Sequence, residues 1–513
     1  MKKILNISLF VSAMLVVNGC VDSEDEIRTE LLSHVTTGEE VQISSGSADF
    51  SKYVAIGNSI TAGLMDAALY TNGQNNSYPN LLANQMLPAG GGAFNQPDIN
   101  SVDGFNISLP QPGSPIFGRL VLNVGAGAPE PKLTGDLPSA YTGDKSALNN
   151  FAVPGARVVD MVTPAYVANP LYARFASNPV GLPSGSSILT DAATANGSFI
   201  TYWMGQNDLL GYLLSGGTSD DVTDNPAAIL NPSSLTDVTN FIGALGAVVA
   251  TLSGGGTKDG AIANLVDATF TPFFRAVPYN SIPLDQATAD LLMLGPSGTG
   301  ADGFAGFNAG LDQLVGLNAI TAADAASRKI SFAAGVNAVL IEDDNLLDIS
   351  VFNPALAGKG QMRQIKPGEL LLLTSATVLN TSPAGFPPTA LYGISVPLPD
   401  QYSLTADELA LHQSRLTAFN DVIAAQAAAF NLALVDTYSL FGGIALGGGF
   451  VTDAGVKLDP DFLPNGIYSV DGIHPNPRGQ AIVANAFIAA INAKYGSNLQ
   501  DVDVLNQPGV TLK

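Results

Sequence analysis

Ser51-Lys52-Tyr53-Val54-Ala55-Ile56-Gly57-Asn58-Ser59-Ile60-Thr61 reads as a strand, a tight turn and the start of a helix. Tyr53 to Ile56 is a short apolar run, Gly57 permits a sharp change of direction, and the residues through Leu69 predict a helix. That order opens a βα unit.

Working outward, the same rhythm returns. Asn149 to Val153 predicts a second short strand, ended by Pro154-Gly155. Phe199 to Met204 predicts a third, stopped by Gly205-Gln206-Asn207-Asp208. Its apolar run is continuous, which suits a parallel strand covered on both faces. Leu235 to Leu252 has helical spacing, with Val238, Phe241, Ile242, Leu245, Val248 and Val249 on one broad face. Gly260 to Val266 predicts a fourth strand. Thr405-Ala406-Asp407-Glu408 is a capping-box signature for a helix running to about Phe430. Leu432 to Asp436 then predicts the last strand, and Arg478 to Lys494 the closing helix. Strands alternating with helices predict a parallel sheet with helices on both faces.

Two stretches break the rhythm. Residues 71–145 are rich in Gly, Pro and Asn and read as surface excursions. Residues 266–404 are too long for a simple loop in a compact domain and read as an inserted subdomain, with an apolar run at Leu370 to Leu373.

The chain has three histidines. His474 lies in Asp471-Gly472-Ile473-His474-Pro475, with a carboxylate three residues upstream to fix its tautomer and stabilise its cation. His34 and His412 have no metal-ligand pattern around them. Ser59 follows a predicted strand and precedes a helix, whose first N–H groups favour a developing anion. Taken singly, Ser59 is as readily a helix cap, Pro154-Gly155 a plain turn and Asn207 a loop residue bonding its own backbone. Glu342-Asp343-Asp344 with Asp348 offers oxygens to a hard cation such as calcium, but reads better as a solvated acidic loop, so no metal is assigned.

In chain order, Gly57-Asn58-Ser59-Ile60, Val153-Pro154-Gly155-Ala156, Gly205-Gln206-Asn207-Asp208 and Asp471-Gly472-Ile473-His474-Pro475 resemble the blocks of the SGNH/GDSL hydrolase superfamily. The resemblance implies an α/β fold, a three-layer α/β/α flavodoxin-like sheet, and ester hydrolysis without cofactor or metal. It implies Ser59 as nucleophile, His474 as general base and Asp471 as its orienting acid. The N–H of Ser59, the N–H of Gly155 and the Asn207 amide are implied as oxyanion donors. The usual Gly-Asp-Ser-Leu stands here as Gly57-Asn58-Ser59-Ile60, and Asn58 keeps most of the hydrogen-bonding ability of Asp. The substrate is then a carboxylic ester, as in a lipase or esterase. A carbohydrate O-acetylesterase and a surface lipoprotein that binds without chemistry remain alternatives.

Composition narrows the partners. With 21 basic and 44 acidic side chains, the formal charge is −23, which argues against nucleic acid. Residues 1–19 read as a signal peptide: Lys2-Lys3, then an apolar stretch from Ile4 to Val17. Cys20, the one cysteine, stands directly after Gly19, a position resembling the lipidation site of a bacterial lipoprotein. Val21-Asp22-Ser23-Glu24-Asp25-Glu26 opens an acidic tether over residues 20–48, resembling a surface-export signal. The expected plan is an SGNH domain at residues 49–265 and 405–496, interrupted by 266–404 as a possible lid. The expected location is the cell envelope, anchored to the outer membrane through lipid on Cys20.

Overall fold

The computed structural model describes residues 42–513 except 110, 112 and 182. The expected signal peptide, Cys20, His34 and most of the acidic tether lie outside the described residues.

Four parallel strands form the central sheet: β1 (Tyr53–Gly57), β2 (Phe199–Trp203), β3 (Asp259–Ala263) and β4 (Ala433–Val435), side by side in that order. Ala55 pairs with Thr201, Thr201 with Ala261 and Ala261 with Ala433. The predicted second strand contributes one bridge, Ala55 to Asn150, on the outer side of β1. Its hydrogen bonds run from the Ala55 N–H to Asn149 O and from the Phe151 N–H to Ala55 O, at 2.8 and 2.9 Å. Counting this segment as second in the chain, the spatial order is 2-1-3-4-5, the flavodoxin-like arrangement. The sheet reverses its winding beside β1, and in open α/β sheets ligands bind at the carboxyl ends of the strands flanking such a reversal.

Alternate side chains supply the two faces. Val54, Ile56, Ile200, Tyr202 and Ile262 are buried in a core shared with α4 (Val238–Leu252) and α5 (Ala406–Ala429). There Phe241 stacks on Phe419 with ring centroids 3.8 Å apart. On the other face Trp203 meets Tyr78 of α2 (Tyr78–Met86), and Tyr78 stacks on Phe487 of α6 (Pro477–Tyr495) at 4.7 Å. Helix, sheet, helix is the three-layer architecture expected. The capping box at Thr405 and Glu408 is present as read.

The differences have local causes. The helix after Ser59 is a single turn, α1 (Ser59–Ala62), because Gly63 is left-handed at φ 80° and ends it. Residues 71–145 are not wholly surface excursions: α2 lies within them, with Tyr78, Leu81, Leu82 and Met86 buried. Pro79 sits in its first turn, where a missing N–H costs no helical bond. Ile242, expected on the inner face of α4, is 46% exposed, so the buried stripe is narrower. Between β3 and α5 lie short antiparallel pairs, Ile282–Leu284 with Gly335–Asn337 and Leu340–Glu342 with Met362–Gln364, and three helices between Gln286 and Arg328. This segment has small cores of its own, one built on Ile282, Val339, Ile341, Leu371 and Leu398. The acidic run does not act as one group: Asp343 pairs with Arg363, and Asp348 caps the turn at Ser350. No helix among the described residues is long and apolar enough to cross a membrane.

Candidate active site

Because the sheet is parallel, the turns after β1, β2 and the Asn150 segment open at one end, and they bring Ser59, Asn207 and Gly155 there. Ser59 is the first residue of α1 and is buried. Asn58 caps that turn by accepting the Ile60 N–H at 3.3 Å, while its Nδ2 is buried without a protein partner. Gly57 is needed for close approach: a Cβ there would lie 2.6 Å from Trp203 O.

The loop before α6 supplies the other half. His474 Nε2 lies 2.9 Å from Ser59 Oγ, and His474 Nδ1 lies 2.8 Å from Asp471 Oδ2. Asp471 is held as an anion by four donors. Its Oδ1 accepts the Ile473 and His474 N–H groups, both at 2.9 Å, and its Oδ2 also accepts the Ala67 N–H at 2.9 Å. Burial alone would raise its pKa. The His474 ring and these hydrogen bonds overcome burial and hold the carboxyl at about 2. The chain then enters α6, capped by Asn476, which accepts from Arg478 and Gly479.

Asn207 lines the cleft beside Ser59, and the turn that holds Gly155 is tied to the Asn207 turn. Gly155 is exposed at φ 81°, and among the described residues neither its N–H nor that of Ser59 donates to a protein acceptor. Asn207 opens α3 (Asn207–Leu214), and its Nδ2 donates to Ala156 O at 2.9 Å. An amide nitrogen carries two hydrogens, so one remains for another acceptor. Gly205, at φ 112°, admits no side chain, since a Cβ would meet the Phe241 ring at 2.9 Å.

Two positioning residues were missed by sequence reasoning. Asp208 is fully buried and accepts the Val158 N–H at 2.8 Å, tying the Asn207 turn to the Gly155 turn. Burial pushes its carboxyl up to about 7, against the opposing pull of that hydrogen bond and of Arg157. Its position beside Asn207 was the only signal. Asp66 braces the other side: it accepts the Tyr70 hydroxyl at 2.8 Å and the Val470 N–H at 3.2 Å, and its own N–H donates to Ser469 at 2.9 Å. Burial, with the nearby Asp471 charge, raises Asp66 to about 6. Asp66 and Ala67 are both left-handed, at φ 55° and 59°. Asp tolerates that region but Ala pays roughly 1–2 kcal/mol for it. The Ala67 amide is thereby aimed at Asp471. No sequence pattern marked Asp66.

The cleft beside Ser59 and His474 is walled by apolar side chains, among them Trp203, Leu210, Val266, Phe441 and Tyr468. Of the segment expected to be a lid, only its first residues, Val266, Ala268 and Thr271, reach this cleft.

Residues 357–487 match the family model of the GDSL-like lipases and acylhydrolases. The match supports the SGNH/GDSL hydrolase superfamily. The GDSL match begins inside the segment read as inserted and ends in α6, so it contains Asp471 and His474 and leaves Ser59, Gly155 and Asn207 outside. Comparison with curated proteins and with solved structures found no match.

Proposed function

We propose that this GDSL-family chain is a serine hydrolase of carboxylic esters, with Ser59 as nucleophile. The observation that carries the reading is the unbroken relay from Asp471 through His474 to Ser59, at 2.8 and 2.9 Å. Asp471 takes the Nδ1 hydrogen, which leaves Nε2 as the base facing Ser59 Oγ. As Ser59 attacks the ester carbonyl, His474 accepts its proton. The carbonyl oxygen becomes an anion received by the N–H groups of Ser59 and Gly155 and the free amide hydrogen of Asn207. His474 returns the proton to the departing alcohol. Water then repeats the sequence on the acyl-enzyme and releases the acid.

The apolar walls of the cleft favour an aliphatic acyl group over a sugar-bound acetyl group as the preferred substrate. Ser59→Ala is expected to abolish hydrolysis of p-nitrophenyl esters and labelling by a fluorophosphonate probe. Persistent hydrolysis by that variant removes the assignment. Absence of labelling in the folded wild type favours a protein that binds without chemistry. A chain-length series that peaks at acetate favours carbohydrate O-acetyl groups instead.

We further propose that Cys20 carries lipid and anchors the chain to the cell envelope at the outer membrane. The support is its place after an apolar segment flanked by Lys2-Lys3. Incorporation of labelled palmitate by the wild type, lost in Cys20→Ser, is the expected result, and equal incorporation by both sinks the proposal.

A further inference from the structure

Away from the cleft, three carboxylates converge where the inserted segment meets the start of α5. Oxygens of Asp344, Asp400 and Glu408 all lie within 4.8 Å of one another. Such a group repels itself unless a cation or protons neutralise it. The neighbouring arginines are already engaged. Arg363 binds Asp343 at 2.6 Å and both oxygens of Glu369 at 2.7 and 2.8 Å, and Arg415 binds Asp221 at 2.8 Å. Among the described residues no ion pair reaches Asp344, Asp400 or Glu408.

Asp400 is the second, separate observation. It is 8% exposed, and neither of its carboxylate oxygens takes a hydrogen bond from the protein. Buried polar atoms are nearly always satisfied, so two orphaned oxygens on one buried acid, in a cluster with two more, point to a missing partner. Gly216 and Gly217 seal the far side. A Cβ on Gly217 would lie 2.4 Å from the Glu408 carboxyl carbon, and one on Gly216 would lie 2.7 Å from Asp400 O. Asp344 is exposed and leaves a way in.

We propose that Asp344, Asp400 and Glu408 bind a calcium ion that ties the inserted segment to α5. The donors are all oxygen, which selects a hard cation over zinc or copper. Calcium–oxygen distances of about 2.3–2.6 Å put opposite ligands up to roughly 5 Å apart, which accommodates the observed spacing. Two free oxygens on Asp400 allow it to bind through both, a mode calcium accepts and octahedral magnesium resists. Glu408 keeps one oxygen, Oε2, on the Thr405 N–H at 2.6 Å, so the ion would sit on a residue already fixed by the helix cap. Consistent with uncompensated charge, burial and the neighbouring acids push Asp400 up to about 8, and burial foremost pushes Glu408 to about 7. This role is structural and independent of ester cleavage.

The test uses the full chain stripped with EGTA at pH 8. Adding 1 mM calcium chloride is expected to raise the wild-type Tm by about 3 °C or more, as for a ligand well above its Kd. An equal concentration of magnesium is expected to do much less. Terbium should bind at the same place and luminesce when excited through tyrosine, since Tyr212 lies within electrostatic reach of all three carboxylates. Asp400→Asn and Asp344→Asn should each lose the calcium shift and the terbium signal. The second variant changes an exposed residue and leaves the fold intact. A wild-type Tm indifferent to calcium overturns the proposal, and so does a full shift retained in both variants. An equal response to magnesium overturns the choice of calcium.

Discussion

The Asp208 carboxylate accepts the Val158 amide at 2.8 Å and so fastens together two turns that lie 50 positions apart. One residue earlier, Asn207 makes the reciprocal link by donating to Ala156 O at 2.9 Å. The turn that presents Asn207 to the cleft is therefore held to the Gly155 turn by hydrogen bonds running in both directions.

In the unfolded chain Asp208 titrates near 3.8, and in the fold near 7. Below about pH 4 both states hold the proton, and the contribution to stability is fully present. Between about pH 4 and 7 the unfolded chain releases its proton while the folded chain keeps it, so stability falls as pH rises. Asp208→Asn removes this dependence while an amide oxygen can still accept from Val158. The wild-type Tm should fall relative to that of the variant from pH 4 to 7, by the equivalent of a few kcal/mol at most. Parallel profiles would show that Asp208 is ionised throughout.

Asn207→Ala removes the proposed oxyanion donor and also the link to Ala156. The expected loss is about 10²–10³ in kcat with KM little changed, because the amide serves the transition state more than the ester. Circular dichroism and Tm should show a folded protein. A rise in KM alone, with kcat intact, contradicts the role.

Asp471→Asn tests the tautomer. Asp471 Oδ2 accepts from both His474 Nδ1 and the Ala67 N–H, and Oδ1 accepts from two further amides. An amide NH2 on either side meets donors, so His474 should rotate its hydrogen to Nε2 and cease to be a base toward Ser59. The expected loss is roughly 10⁴ in kcat at neutral pH. Retention of more than a tenth of wild-type kcat would show that His474 keeps its orientation without Asp471.

What the sequence disclosed follows from where its signals are local. β2 was legible because both faces of Phe199 to Trp203 are buried, so the apolar run is uninterrupted. Ser59, Gly155 and Asn207 were legible because each sits in a turn directly after a predicted strand, and a parallel sheet brings such turns to one end. The helix at Tyr78 was hidden, since Pro79 and five asparagines between residues 72 and 84 mimic loop composition. Asp66 was hidden for another reason: its partners Ser469 and Val470 lie more than 400 positions away, and nothing near Asp66 encodes them. The meeting of Asp344, Asp400 and Glu408 is equally non-local. Reading Asp344 with its sequence neighbours grouped it with Asp343 and Asp348, which have other partners.

Gly205 gives the most demanding prediction, because two separable effects converge on it. Its φ of 112° strains any L side chain, and a Cβ would meet Phe241 at 2.9 Å and Leu265 at 3.1 Å. Phe241 cannot retreat easily, since its ring lies flat against Phe419 with centroids 3.8 Å apart and 6° between planes. Gly205→Ala should therefore destabilise by about 3 kcal/mol and displace Asn207, two residues on, lowering kcat by roughly tenfold or more. Phe241→Leu alone should cost about 1–2 kcal/mol. In the Gly205→Ala background it should cost less than that, or restore stability, because the smaller side chain relieves the clash while leaving the backbone strain in place. Strict additivity of the two substitutions in a denaturation cycle would show that strain alone governs the site. Recovery of kcat together with stability in the double variant would place the lost activity on the displacement of Asn207 by the clash.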